Sequence, residues 1–168
     1  MKKLNIHDCP YDLSIERLKT ASIFGALGPD AIEFLLTNGN LEEFEEGETV
    51  FEKDEVADGF YIILDGEIEL FKDKEAYEKA MKFGEGSIGF GEELGYCTMI
   101  ALLPRAANAR TSKKTLVLKV DSYVFGQFHD YYAFDFGILI LNLSRDMARK
   151  LRLLSGTLSE HDITVDRS

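Results

Sequence analysis

The sequence predicts a mainly β fold with flanking helices, and three observations support this prediction. From Leu41 onward, apolar and polar residues tend to alternate, which is the period of a β-strand. Turns that contain glycine separate about eight short strand-like segments. The segment from Tyr132 to Ser155 instead repeats apolar residues at spacings of three and four, as an amphipathic helix does. The chain therefore combines a β core with a long C-terminal helix.

Two short helices are predicted before the strands. The first covers Ser14 to Ala21 with Ser14 as its N-cap, because a serine oxygen accepts from free N–H groups of the first turn. The second begins at Gly28-Pro29-Asp30 and ends near Asn38-Gly39, where proline and glycine mark the two ends of a helix.

The strand-like segments include two predicted β-hairpins. Asp65-Gly66 separates the runs 59–64 and 67–71, and an Asp-Gly pair is a strong hairpin signal. The runs 108–111 and 115–120 are interpreted as a second hairpin. Between the two hairpins, a solvated loop at 72–76, a strand at 77–83 and a glycine-rich turn at 84–86 are predicted.

The composition indicates a single domain. A chain of 168 residues with 45% hydrophobic content can bury a sizeable core. No apolar run is long enough for a transmembrane helix, and the polar N-terminus does not resemble a secretory signal, so we expect a cytoplasmic protein without membrane contact. The net charge of −11 argues against nucleic-acid binding, which depends on clustered Lys and Arg.

Patterns that indicate catalysis or metal binding do not occur. The three histidines are too widely spaced for a metal site, and no nucleophile with a nearby base or Gly-x-x-x-x-Gly-Lys loop is present. We therefore expect no enzyme and no cofactor. Cys97 is expected to be a buried reduced thiol, and the acidic runs Glu42-Glu43 and Glu92-Glu93 are expected on exposed strand faces, with Glu93 solvated.

The segment from Phe90 to Thr111 contains the main candidate binding residues. Gly91 allows the backbone to approach a ligand closely, and Arg105 provides a planar, permanently charged guanidinium that suits a phosphate. Glu92 would repel a phosphate, so it requires a separate donor such as a sugar hydroxyl. A ligand with both a phosphate and a sugar is a nucleotide.

Phe90-Gly91-Glu92 and Arg105-Ala106-Ala107 resemble the phosphate-binding cassette of the cyclic nucleotide-binding domain family, which includes catabolite activators and kinase regulatory subunits. The resemblance implies that Arg105 binds the exocyclic phosphate oxygens and that Glu92 accepts from the ribose 2′-hydroxyl. It also implies backbone contacts from Gly91 and Ala106. Residues 90–111 are called the cassette below.

The resemblance covers roughly residues 18–155, between an N-terminal extension at 1–17 and a polar tail at 156–168. It implies a double-stranded β-helix, a jelly-roll-like β-roll, with short N-terminal helices and a long C-terminal helix. The run 144–151 is similar to the dimer helix of bacterial catabolite activators. There the family places a basic residue and a Thr-Ser pair over the nucleotide, and the matching residues here are Lys150 and Leu154-Ser155.

These inferences give a set of candidate ligand-binding residues and a candidate dimer interface. The candidate ligand-binding residues are Gly91, Glu92, Leu94, Arg105, Ala106, Lys150, Leu154 and Ser155. The apolar stripe of the C-terminal helix is predicted to pack against the same stripe of a second copy, because a two-fold pair lets one patch cover itself. This stripe consists of Ile140, Leu143, Met147, Leu151 and Leu154.

The expected function is a non-catalytic sensor of a cyclic purine nucleotide. Ala106 favours cAMP, because relatives that prefer cGMP often carry a threonine at this place. The chain ends at Ser168 without room for the winged helix-turn-helix of catabolite activators, so we expect a sensor that acts on an unidentified protein effector. The alternative is a β-roll that has lost its ligand and serves as a protein-interaction module, which the long cassette and Leu154 would permit.

Overall fold

The computed structural model describes residues 1–71 and 87–160, apart from the side chains of 153, 154 and 156–160. The loop, strand and turn predicted between 72 and 86 lie outside the described residues, as does the tail from 161. The strands are β1 (Lys2–Leu4), β2 (Asn40–Phe44), β3 (Thr49–Phe51), β4 (Gly59–Asp65), β5 (Ile68–Phe71), β6 (Glu93–Leu94), β7 (Asn108–Thr111) and β8 (Thr115–Asp121). The helices are α1 (Ile15–Leu18), α2 (Pro29–Asn38), α3 (Tyr96–Ile100), α4 (Ser122–Tyr131) and α5 (Ala133–Glu160), and a 3₁₀ turn covers Ile6–Asp8.

Two antiparallel sheets form the β-roll. The larger sheet has the strand order β1-β2-β8-β4-β6, and the smaller one has the order β3-β7-β5. This architecture, with helices before the roll and α5 after it, confirms the predicted mainly β class with flanking helices. The N-terminal β1 forms an edge of the larger sheet by pairing with β2. No helix in the described ranges is long and apolar enough to cross a membrane.

Neither predicted hairpin is formed, because the two strands of each pair belong to different sheets. β4 pairs with β8 on one side and with β6 on the other, so both of its edges are occupied. β5 pairs instead with β7 in the smaller sheet. At Asp65-Gly66 the chain passes from one sheet to the other, and Gly66 adopts a positive φ of 91° there. The Asp-Gly signal identified a turn, but a turn does not determine which strands pair.

The apolar side chains form two clusters, one inside the roll and one between the larger sheet and the helices. Alternation along β4 separates them: Tyr61 and Ile63 lie inside the roll, whereas Phe60 and Ile62 contact the helical layer. The roll interior contains Phe44, Phe51, Tyr61, Ile63, Ile68, Ile88, Leu94, Ala109 and Val117. The two clusters fix the larger sheet from both faces.

The first two helices begin where the sequence predicts, although α1 ends at Leu18 and not at Ala21. Ser14 caps α1 by accepting from the Arg17 N–H at 3.4 Å, and Pro29 is the first residue of α2. Asp121 caps α4 by accepting from the Val124 N–H at 2.9 Å. These caps pair N–H groups that a helix start would otherwise leave unsatisfied.

α5 is fixed to the N-terminal helical segment of its own chain. Leu139 and Leu143 are fully buried on its inner face. On the same face, Asn142 donates to the Ile23 carbonyl at 3.1 Å, and the Asp135 carboxylate accepts from the Gly28 N–H at 2.6 Å. Leu143 belongs to the stripe that was predicted to meet a second copy, so part of this stripe packs within the chain.

The acidic run Glu42-Glu43 was predicted to be exposed, and that prediction is wrong. The two residues are only 7% and 8% exposed. Glu42 shares the inner face of the roll with Phe44, and Tyr11 contacts Glu43 on the opposite face. Glu43 accepts from the Tyr11 hydroxyl at 2.7 Å and forms an ion pair with Lys114. Burial raises the pKa of Glu42, although Lys119 acts in the opposite direction.

Candidate functional site

The cassette begins with a tight backbone turn at Gly91. Its φ is 77°, a conformation that glycine adopts without strain. A Cβ at this position would lie 2.3 Å from the Cβ of Ala21, and the Gly91 N–H donates to the Ile63 carbonyl at 2.8 Å. The close approach that Gly91 makes in the described conformation is therefore to Ala21. Its contact with a ligand stays a prediction.

Arg105 is the buried cation of the cassette, with 2% of its surface exposed. Its Nη2 donates to the Gly59 carbonyl at 2.6 Å, and its Nη1 donates to the Gly95 carbonyl at 3.0 Å. Nη1 also lies 3.3 Å from Thr98 Oγ1. The guanidinium carbon is 4.5 Å from the ring centroid of Phe51. The side chain is thus held in one orientation inside the site.

The acceptors around Arg105 are neutral, so they solvate its charge without neutralising it. Among the described residues, none forms an ion pair with this guanidinium. Burial lowers the pKa of Arg105, while Tyr61, Asp58 and Glu55 act in the opposite direction. Arginine nonetheless stays protonated in proteins. A buried cation without a carboxylate partner favours the binding of an anion.

The two glutamates of the cassette have different environments. Glu92 is exposed, and its Oε2 accepts from the Gly89 N–H at 2.8 Å. Glu93 is only 3% exposed, so the prediction that it is solvated is wrong. Its Oε2 accepts from the Tyr96 N–H at 3.2 Å, and β6 brings it beneath α5. Glu92 therefore remains the carboxylate available to a sugar hydroxyl.

Lys150 connects α5 to the cassette. Its Nζ lies 3.0 Å from Glu93 Oε1, 3.1 Å from the Glu93 carbonyl oxygen and 2.7 Å from Asp146 Oδ2. Burial would lower the pKa of Lys150, but the two carboxylates more than offset this and raise it. Sequence analysis associated Lys150 with the nucleotide. In the described conformation it binds the cassette itself, and its contact with a nucleotide stays a prediction.

The remaining candidates are distributed around this centre. Leu94 is buried inside the roll, whereas Ala106 and Ser155 are exposed. The side chain of Leu154 lies outside the described residues. Cys97 is exposed, contrary to the prediction of a buried thiol, because α3 directs Tyr96 and Met99 inward instead.

Sequence analysis missed the groups that hold Arg105. Gly59 was interpreted only as the start of a strand, and Thr98 was not identified as a candidate. The structure explains why Gly95 is a glycine, since a Cβ there would lie 2.2 Å from Arg105 Nη1. A glycine and a threonine within ten residues of the arginine were the available signal, but nothing local indicates that their oxygens face it.

No metal cluster marks the cassette in the part of the chain that the structure describes. No group of three His, Cys, Asp or Glu side chains there could hold a metal ion. A shallow groove of about 230 Å³ lies elsewhere, between the N-terminal segment and the end of α2, and Ile6, Leu36 and Leu41 contribute to its lining. We assign the site to the cassette on the chemistry of its side chains.

Residues 41–132 match the family model of the cyclic nucleotide-binding domain. No curated protein matches the sequence at a significant level. No catalytic family is indicated by this match. Cyclic nucleotide-binding domains are generally regulatory.

Solved structures agree with this fold. The catabolite activator protein of Thermus thermophilus is similar, with a TM-score of 0.68 and 18% identity. The matched region covers 84% of this chain and 63% of that protein. A cyclic nucleotide-binding domain from Methylobacillus flagellatus has a TM-score of 0.72 and 17% identity over 90% of this chain and 83% of that one. The complex of PKAR CBD2 with Sp-2Cl-cAMPS has a TM-score of 0.64 and 20% identity, covering 88% of each chain. The β-roll implied by the sequence resemblance is confirmed.

Proposed function

The chain belongs to the cyclic nucleotide-binding domain family, and from this premise we propose that it is a non-catalytic sensor of a cyclic purine nucleotide. cAMP is favoured over cGMP because Ala106 offers no hydroxyl to a guanine. The cassette binds the nucleotide through the phosphate, and α5 transmits the binding event to a second copy or to a protein effector.

The observation that supports this function best is the environment of Arg105. Its guanidinium is buried against neutral carbonyl oxygens, with no ion pair to any described residue. A cyclic phosphate would supply the missing negative charge, and a charge-assisted contact contributes about 1.5–3 kcal/mol. Glu92, exposed at the start of the same cassette, is free of ion pairs among the described residues and can accept from a ribose hydroxyl.

Isothermal titration calorimetry with cAMP, cGMP and cyclic dinucleotides tests the proposal. We expect binding of cAMP, with at least about a tenfold loss in R105A. Because Arg105 is buried, E92A is the second variant: Glu92 is exposed, so its loss should weaken binding without unfolding the chain. R149K, in which an exposed arginine of α5 outside the cassette is replaced conservatively, is the control. Unchanged affinity in both R105A and E92A would rule out this site.

Assembly as a homodimer is part of the same proposal. On the predicted stripe of α5, Ile140 and Met147 are half-buried and Leu151 is 63% exposed, so apolar surface remains for a second copy. Lys150 ties this helix to Glu93, one residue after Glu92. A nucleotide that moves the cassette would therefore act on α5, to the extent that it binds one arrangement more tightly than the other.

A second function, a ligand-free interaction module, is favoured by one observation. The Arg105 guanidinium already donates to the carbonyl oxygens of Gly59 and Gly95. These hydrogen bonds do not require a nucleotide. In that case thermal-shift curves would be flat for every nucleotide. A melting temperature that rises with cAMP concentration would exclude it.

A further inference from the structure

The interior of the roll is polar at one end. The alternation that directs Phe44 and Val117 inward also directs Glu42 and Lys119 inward. Glu42 lies two residues before Phe44 on β2, and Lys119 lies two residues after Val117 on the antiparallel β8. Lys119 is paired in register with Tyr61 of β4. A lysine on the inner face of a mostly apolar roll requires an anionic partner.

Lys119 lies beside the residues that hold Arg105. Its Nζ is 5.8 Å from the ring centroid of Tyr61, and the guanidinium carbon of Arg105 is 5.7 Å from the same centroid. Arg105 also donates to the carbonyl of Gly59, the residue that follows Asp58. Two cations thus converge on one aromatic ring at the end of the roll.

The carboxylate that pairs with Lys119 is easily displaced. Asp58 Oδ2 lies 2.9 Å from Lys119 Nζ, but the Asp58 side chain is 58% exposed, whereas that of Lys119 is 19% exposed. An ion pair with one exposed partner contributes little to stability, because water and salt screen it. Asp58 can therefore turn into solvent at small cost and leave Lys119 to another anion.

Glu42 is the other acid at this end of the roll. It is 7% exposed, and its carboxylate makes no hydrogen bond to a described residue. An ionised Glu42 would oppose an incoming anion. Its burial favours the neutral form and raises its pKa, although Lys119 and Lys3 act in the opposite direction.

We propose that Lys119 is a second phosphate-binding cation, which exchanges Asp58 for the phosphate of a ligand held by Arg105. This role rests on the proposed function and identifies a residue that determines the affinity of the same site. A cyclic phosphate has two exocyclic oxygens that share its charge, so one can accept from the arginine while the other accepts from the lysine. Asp58 acts as a competitor that keeps Lys119 paired when no ligand is bound.

Opposite effects of two substitutions test the exchange. Calorimetry with cAMP should show K119M weakening binding by about tenfold, because one charge-assisted contact is lost. D58N should tighten binding by about threefold, because Lys119 is then free for the phosphate. The double variant K119M/D58N should bind as weakly as K119M. K119R, which keeps the charge, is the control and should bind within about threefold of the unmodified protein.

A merely structural ion pair would give a different pattern. D58N and K119M would then weaken binding together or leave it unchanged, and either result would overturn the role. D58N alters an exposed side chain, so its result stands even if K119M proves unstable in thermal unfolding. If the unmodified protein binds neither cAMP nor cGMP, the proposed function and this role both fail. If binding is normal and insensitive to Lys119, only this role fails.

Discussion

The Lys150 ammonium lies 3.0 Å from the Glu93 carboxylate and joins the C-terminal helix to the cassette across 57 positions of sequence. Glu93 is 3% exposed and the Lys150 side chain is 38% exposed, so the pair lies at the border of the core. Glu93 follows the candidate ribose acceptor directly. The helix and the ligand-binding loop are therefore mechanically connected through one ion pair.

Replacing Lys150 with methionine should destabilise the protein. The change leaves the buried Glu93 carboxylate without its cation, although the Tyr96 N–H still donates to it. We expect a loss of about 1–3 kcal/mol in the free energy of unfolding, measured by urea denaturation at pH 7. E93Q/K150M should recover part of this loss, because the unpaired charge is then absent. R149M, at an exposed neighbouring position, should have little effect, and equal losses in K150M and R149M would contradict the pairing.

Gly91 should not tolerate a side chain. Its φ of 77° and the 2.3 Å distance from an added Cβ to the Ala21 Cβ combine strain with a steric clash. We expect G91A to lose at least about 2 kcal/mol of unfolding free energy. G91A/A21G should lose less than the sum of the single changes, because the clash is then relieved. G126A is the matched control: nothing lies within 4 Å of its added methyl group, so the helix should be slightly stabilised.

Glu42 should make stability depend on pH. Burial raises its folded-state pKa above the ordinary value of about 4.3, so the folded state prefers the protonated form. Stability is then lost as pH rises from that ordinary value through the raised folded value. E42Q removes the buried charge and should increase the melting temperature at pH 7. The difference in melting temperature from the unmodified protein should vanish near pH 4, where the folded protein carries no charge at position 42 with either Glu or Gln.

An exposed acid provides the control for Glu42. E46Q changes a residue of the exposed turn between β2 and β3 and should leave the melting temperature nearly unchanged at both pH values. If E42Q instead lowers the melting temperature at pH 7, the attraction of Lys119 to Glu42 outweighs the cost of burial.

Local features of the fold could be predicted from the sequence because their signals are local. Ser14 caps α1 and Pro29 starts α2 through contacts within one helical turn. The pairing of strands is not local: β4 meets β8 and β6, which are distant in sequence, so Asp65-Gly66 predicted a turn without its partners. An interpretation based on adjacent runs therefore assigned two hairpins that do not form.

The candidate site likewise has features that local sequence predicts and features that only tertiary packing determines. Arg105 and Glu92 could be identified from the composition of one segment. The burial of Glu93 and Arg105 depends on α5 and on the carbonyl oxygens of Gly59 and Gly95, and backbone oxygens have no signature in a sequence. Side-chain type thus predicted the chemistry of the site, while tertiary packing determined which charges are solvated.

The last prediction concerns the dimer, through Leu151 of α5. This side chain is 63% exposed in the single chain, so L151E should not affect the folding of a monomer. In a dimer that buries the stripe, the same change would bring an unneutralised carboxylate into an apolar interface, at a cost of several kcal/mol. We expect sedimentation at micromolar concentration to show dimers of the unmodified protein and monomers of L151E. The melting temperature of the monomer should be unchanged.

L141E is the matched control, since Leu141 is 55% exposed but lies off the stripe, and it should leave the dimer intact. A monomeric unmodified protein, with and without cAMP, would mean that the stripe serves only its own roll, through Leu143.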